Sequence, residues 1–105
     1  MNPLSVYKAM ADETRLKSLL LIYLKRELCV CDLMHGLTLS QPKVSRHLAE
    51  LRKSGLVSTD RRGKWVYYQL NDALPSWVLT VIEATVSGHP ELIEQELVLV
   101  ANSNC

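Results

Sequence analysis

From Leu16 onward, apolar residues recur at three- and four-residue spacing: Leu16, Leu19, Leu20, Tyr23 and Leu24. That spacing marks one face of an amphipathic helix. Asp12 stands before it as an N-cap, with Arg15 at the third position inside. Lys25 and Arg26 place cations near its end, where they suit a helix C-terminus. Residues 4–10 can form a shorter helix ahead of it. Residues 30–36 predict another short helix, with Gly36 as its natural C-cap. In Leu37-Thr38-Leu39-Ser40-Gln41-Pro42, Thr38 with Gln41 fits a capping box, and Ser40 is an alternative N-cap. Pro42 is tolerated only in a helix's first turn. A helix over about 41–54 therefore follows, apolar at Val44, Leu48 and Leu51, and stopped by Gly55.

The period then changes. Leu56–Arg61 and Trp65–Leu70 are rich in β-branched and aromatic residues, with Arg62-Gly63 between them as the turn, so a β-hairpin is expected. Residues 76–87 form a mostly apolar helix with few charges. Pro90 breaks the chain, and 91–101 can make a last helix carrying Leu92, Ile93, Leu97 and Val100. Two helices joined by a short turn and followed by a basic hairpin predict a winged helix-turn-helix: mainly α with a β-hairpin wing. At 105 residues this is one domain, 1–105, with the recognition helix at about 41–54 and the wing at about 56–70.

Composition narrows the class. With 48% apolar and 22% charged residues, the chain is expected to be globular. It has no run of eighteen apolar residues and no signal-peptide pattern at its start, so a cytoplasmic protein with no membrane association is expected. Net charge is only +1, but it is unevenly spread. Residues 1–64 hold all twelve Lys and Arg, and residues 65–105 hold none. Seven of the twelve lie between Lys43 and Lys64, opposed only by Glu50 and Asp60. Such clustering is the footprint of a polyanion-binding face.

The cluster falls on the predicted reading elements. Gln41, Lys43, Ser45, Arg46 and His47 crowd the N-terminal half of the 41–54 helix, the half that enters the major groove in helix-turn-helix proteins. Gln suits adenine, Arg or Lys suits guanine, and either cation can hold a phosphate instead. Arg61, Arg62 and Lys64 sit at the hairpin tip, where a phosphate backbone or minor groove would meet them. Double-stranded DNA is the expected partner. No glycine-rich phosphate loop, zinc-protease helix or nucleophile elbow is present, so an enzyme is not expected.

Three cysteines are an odd number, and Cys29 and Cys31 are too close for an ordinary disulfide framework. The pair points to metal or redox chemistry. Within an ideal helix, residues two apart diverge by about 200°. One ion reaches both sulfurs only if Cys29 lies outside the helix or if binding unwinds the first turn. Unwinding would displace Gln41–His47 and so would itself be a release mechanism. His35 and His89 are read as ordinary surface residues.

Four stretches, Ala11–Leu16, Ser40–Leu48, Leu51–Val57 and Gly63–Tyr68, resemble the ArsR/SmtB metalloregulators, and the resemblance runs from about residue 4 to 88. It implies a homodimer that represses an operon by binding an inverted repeat and that an effector releases. Trp77, Val78, Val81, Ile82 and Thr85 form a broad apolar surface that two-fold pairing would cover, with dimerisation helices at both ends of the chain. Glu27–Leu33, containing Cys29 and Cys31, is similar to the arsenic-responsive branch. This implies As(III) or Sb(III) on those thiolates and an arsenical resistance operon. Another thiophilic metal, or thiol oxidation, is the alternative signal. A cysteine at a helix N-terminus is expected to have a lowered pKa. The branch often carries a third cysteine where this chain has Met34, a weak neutral donor. Cys105, at the end of a tail, is a candidate third ligand, and an external thiol is another.

Overall fold

The computed structural model describes residues 1–105. Six α-helices and three short strands follow in the order α1 (Pro3–Met10), α2 (Glu13–Lys25), β1 (Glu27–Cys29), α3 (Val30–Leu37), α4 (Gln41–Lys53), β2 (Val57–Arg62), β3 (Trp65–Leu70), α5 (Ser76–Gly88) and α6 (Glu94–Ala101), with a 3-10 turn at Pro90–Ile93 before α6. This is the predicted winged helix-turn-helix.

The helix boundaries have local causes. Asp12 caps α2, its carboxylate accepting from the Arg15 N–H at 3.0 Å. Arg15 then reaches back: its Nε donates to the Ala9 carbonyl at 2.7 Å and its Nη2 to the Lys8 carbonyl at 3.4 Å. A cation thus satisfies the orphan carbonyls ending α1, which explains the Asp12-to-Arg15 motif. The recognition helix α4 buries Val44, Leu48 and Leu51 completely, as its periodicity predicts. Gly55, at φ +85, occupies the left-handed region that ends it.

Three expectations are corrected, and of the two N-cap candidates for α4 the alternative holds. Gly36 is not a cap. It lies inside α3 because α6 crosses it so closely that a Cβ there would meet Val100 Cγ2 at 2.4 Å. The left-handed residue closing α3 is Thr38, at φ 55, which removes it from the anticipated capping box. Ser40 is the N-cap of α4, without a side-chain bond. The hairpin turn is Gly63-Lys64, since Arg62 pairs with Trp65 and Gly63 takes φ +64.

The hairpin is one part of a three-stranded antiparallel sheet ordered β1-β3-β2. Strand β1 was not expected; three residues are too few to show a period. It pairs Glu27 with Gln69, Leu28 with Tyr68 and Cys29 with Tyr67.

One contiguous core joins all six helices and the sheet base, from Val6 through Leu19–Ile22, Leu33, Leu48 and Leu56 to Ile82 and Val100. No buried side-chain nitrogen or oxygen lacks a hydrogen-bond partner. Val78 and Ile82 are fully buried in this core, contrary to their assignment to an apolar surface awaiting a partner. What remains outside on the α1 and α5 side is Leu4, Tyr7 and Leu79, with Tyr7 and Trp77 rings 6.2 Å apart. No helix is long and apolar enough to cross a membrane.

Candidate nucleic-acid interface and thiol site

The exposed face of α4 carries Gln41, Lys43 and Arg46, with Ser45 half-buried beside them. Gln41 Nε2 donates to Ser45 Oγ at 2.8 Å, one helical turn away, so the two present joined polar groups. Lys43 and Arg46 have no carboxylate partner among the molecule's ion pairs. His47 differs. Its ring turns towards the start of α2, with Nδ1 3.6 Å from Asp12 and 3.4 Å from Arg15 Nη1. It therefore anchors α4 to the α1–α2 corner. The Arg15 amide hydrogen bond, with the charges of His47 and Arg15, holds the Asp12 carboxyl below the usual range despite its partial burial.

The wing tip also divides into unequal parts. Lys64 is exposed and unpaired, its ammonium 5.6 Å from the Trp65 ring. Arg62 is engaged on all sides. It grips Glu27 in a fork, with Nη1 to Oε1 at 2.8 Å and Nη2 to Oε2 at 2.6 Å, and its Nε donates to Asp60 at 3.0 Å. Its guanidinium lies 4.5 Å over the Tyr67 ring. The fork lowers the Glu27 pKa and raises that of Arg62. The wing is thereby tied to β1 at the doorstep of Cys29. Sequence reasoning placed Arg62 on DNA; its fixed partners are visible only once β1 is known to lie beside β3.

The cysteines separate in the same way. Cys29 ends β1 and serves as N-cap of α3, with extended backbone (φ −87, ψ 169). It lies outside the helix, so no turn need unwind for Cys29 and Cys31 to face one cleft. That cleft is lined by Cys29, Cys31 and Met34 together with Gln41, Lys64 and Trp65. Asp32 reaches back over the first turn. One of its oxygens accepts from both the Cys29 N–H and the Cys29 thiol, each at 3.2 Å. Burial, the leading cause, pushes the Cys29 thiol pKa up. The lowered value expected for a helix N-terminus is therefore overturned: the side chain is buried, and the Asp32 carboxylate accepts a hydrogen bond from the thiol and so favours its protonated form.

Cys31 is joined by a disulfide to Cys105, 74 residues later, with Cα atoms 5.9 Å apart. His35, one turn along α3, completes a cluster in which the ligand atoms of Cys31, His35 and Cys105 lie within 4.8 Å of one another. His35 was expected to be an ordinary surface residue. It is exposed, but the i to i+4 spacing from Cys31 could have flagged it.

Comparisons with known proteins place the chain in a family. Residues 12–59 match the model of the bacterial regulatory protein, arsR family. The arsenic resistance transcriptional regulator ArsR1 of Pseudomonas putida is 44% identical over 101 residues, covering 96% of this chain and 79% of that protein. The arsenical resistance operon repressor of Escherichia coli K12 is 44% identical over 103 residues, covering 98% and 88%. Among solved structures, reduced HlyU from Vibrio cholerae superposes with a TM-score of 0.74 at 37% identity, covering 82% of this chain and 86% of that one. A capped α2, a recognition helix, a basic wing and a sequence match over nearly the whole length all point the same way, to a regulator and not an enzyme, and the chain belongs to the ArsR family.

Proposed function

We propose that the chain is a metalloid-responsive repressor working in the cytoplasm as a homodimer on an inverted-repeat operator of an arsenical resistance operon. Gln41, Lys43, Ser45 and Arg46 read or grip the major groove, His47 sets the pitch of α4 against α2, and Lys64 holds phosphate at the wing. Arg62 contributes there through its hold on Glu27 and Asp60 more than through free charge. The exposed Leu4, Tyr7 and Leu79, with Trp77 beside them, support pairing of two subunits through α1 and α5.

The observation that carries the reading is the shared cleft. Cys29 and Cys31 line it together with Gln41 and Lys64, residues of the proposed DNA-binding face. Soft thiolates select thiophilic centres such as As(III) or Sb(III). As(III), as arsenous acid, would condense with the Cys29 and Cys31 thiols, two of its hydroxides leaving as water with the two thiol protons. Asp32 would then lose the hydrogen bond it accepts from the Cys29 thiol. Cys29 is paired with Tyr67 in β3, so a shift at the sulfur passes through β1 into the wing and through α3 into α4. Effector binding need only favour the DNA-free arrangement by its differential affinity to release the operator.

The test is operator binding by fluorescence anisotropy, titrated with As(III), for the native protein and for Cys29→Ser and Cys31→Ser. Release from the native protein and retention by both variants supports the reading. Operator that stays bound in every case would refute the effector assignment. The Cys31–Cys105 disulfide favours one second reading, in which thiol oxidation is the signal. A peroxide arm of the same titration separates the two.

A further inference from the structure

Cys29 at the N-cap of α3 and Cys31 in its first turn leave a trivalent metalloid one donor short, and the position where a third sulfur would serve locally is Met34. A thioether stays neutral and cannot replace a thiolate. The missing donor lies at the other end of the chain. Helix α6 is seated on α3 without a spacer: Gly36 leaves room for Val100 and for the Glu96 carbonyl. The Lys17 ammonium binds Glu96 at 2.8 Å and fastens α6 to α2. The turn after α6 directs the tail back, with Ser103 N–H on the Val100 carbonyl at 3.0 Å. Ser103 Oγ then donates to Asp32 Oδ1 at 2.9 Å. Asp32 thus holds Cys29 with one oxygen and the tail with the other. Two residues on, Cys105 meets Cys31 sulfur to sulfur.

We propose that the C-terminal tail is a ligand arm and that Cys105 supplies a thiolate to the same metalloid that Cys31 binds. This rests on the reading of α3 as the effector site. In a reducing compartment the resting form of such a pair is the dithiol. Where the disulfide has formed, two equivalents of a small thiol R′SH open it, giving two protein thiols and R′SSR′. Arsenous acid, As(OH)3, then condenses with three thiols to As(SR)3 and three waters, without change of oxidation state. His35 borders the pair but offers nitrogen, a poorer match for a soft centre. The arm links the effector to α6, so binding also stiffens the last helix against α3.

The test is a titration of As(III) into the full chain, reduced and freed of small thiols, following the sulfur-to-arsenic near-ultraviolet absorption and the free thiols lost per arsenic. The expected result is three thiols lost in the native protein and two in Cys105→Ser, with affinity down by at least about tenfold, a loss that even outer-shell partners commonly cause. His35→Ala should match the native protein. Protein with the Cys31–Cys105 disulfide intact should bind at least tenfold more weakly than the reduced form. Should Cys105→Ser match the native protein while Cys31→Ser fails to bind, the arm is overturned and the α3 site stands. Loss of binding in Cys31→Ser and Cys105→Ser but not in Cys29→Ser upholds the arm and removes Cys29 from the site. Native affinity in all three variants overturns both.

Discussion

Gly36→Ala separates two opposing effects that the structure ranks. As a helix-interior residue, Gly36 costs about 1 kcal/mol relative to alanine, so propensity alone predicts stabilisation. A Cβ at that position would stand 2.4 Å from Val100 Cγ2 and 3.4 Å from the Glu96 carbonyl. Carbon atoms rest at about 3.5–4.0 Å, so Val100 would have to retreat by more than about 1 Å. Val100 is 7% exposed, branched at Cβ and backed by the core, so the retreat falls on α6 as a whole. Overpacking of this kind costs about 1–3 kcal/mol. The net loss is about 0–2 kcal/mol after the helix gain is subtracted. For a domain of this size that lowers Tm by up to roughly 10 °C at fixed protein concentration. The assay is thermal unfolding by circular dichroism of native, Gly36→Ala, Val100→Ala and the double variant. In the Val100→Ala background the added methyl should be neutral or stabilising, because its obstacle is gone. A rise in Tm for Gly36→Ala alone, or an equal loss in both backgrounds, would refute the close packing of α6 on α3.

Three further outcomes follow from the geometry. Asp12→Ala should cost about 1 kcal/mol in urea unfolding through loss of the α2 cap. The Asp12 pKa is depressed in the folded protein, so its contribution is complete above the ordinary aspartate range and fades as pH falls through the folded value; Asp12→Asn should flatten the acid limb of the stability profile. In the salt dependence of operator binding, Lys43→Ala and Lys64→Ala should each reduce the slope by about 0.9 per lost phosphate contact, doubled in a two-fold dimer. Arg62→Ala should change the slope less, since Glu27 and Asp60 already balance it, and Glu27→Gln should steepen it. Leu48→Ala should cost about 2–5 kcal/mol, because Leu48 is fully buried at the centre of α4; chemical denaturation of the purified variant checks it.

The sequence by itself determined the elements whose signals are local. Val44, Leu48 and Leu51 repeat on one face, Asp12 and Gly55 punctuate, and the β-branched run before Gly63 cannot be helix. These are properties of neighbours within one or two turns, and each appears in the fold where the pattern placed it. The exposed basic face of α4 was legible for the same reason, since residues on a known helix have known directions. The tertiary structure alone decided whatever depends on partners far along the chain. Strand β1 exists because β3, forty residues later, offers it an edge. That pairing withdraws Arg62 from free solution by setting Glu27 beside it. The close crossing of α6 makes Gly36 an interior contact instead of a cap. Burial under the sheet reverses the expected shift of the Cys29 thiol, because desolvation outweighs the helix terminus. Cys105 stands against Cys31 only because α6 docks on α3 and Asp32 receives Ser103, a meeting that no spacing between residues 31 and 105 could announce.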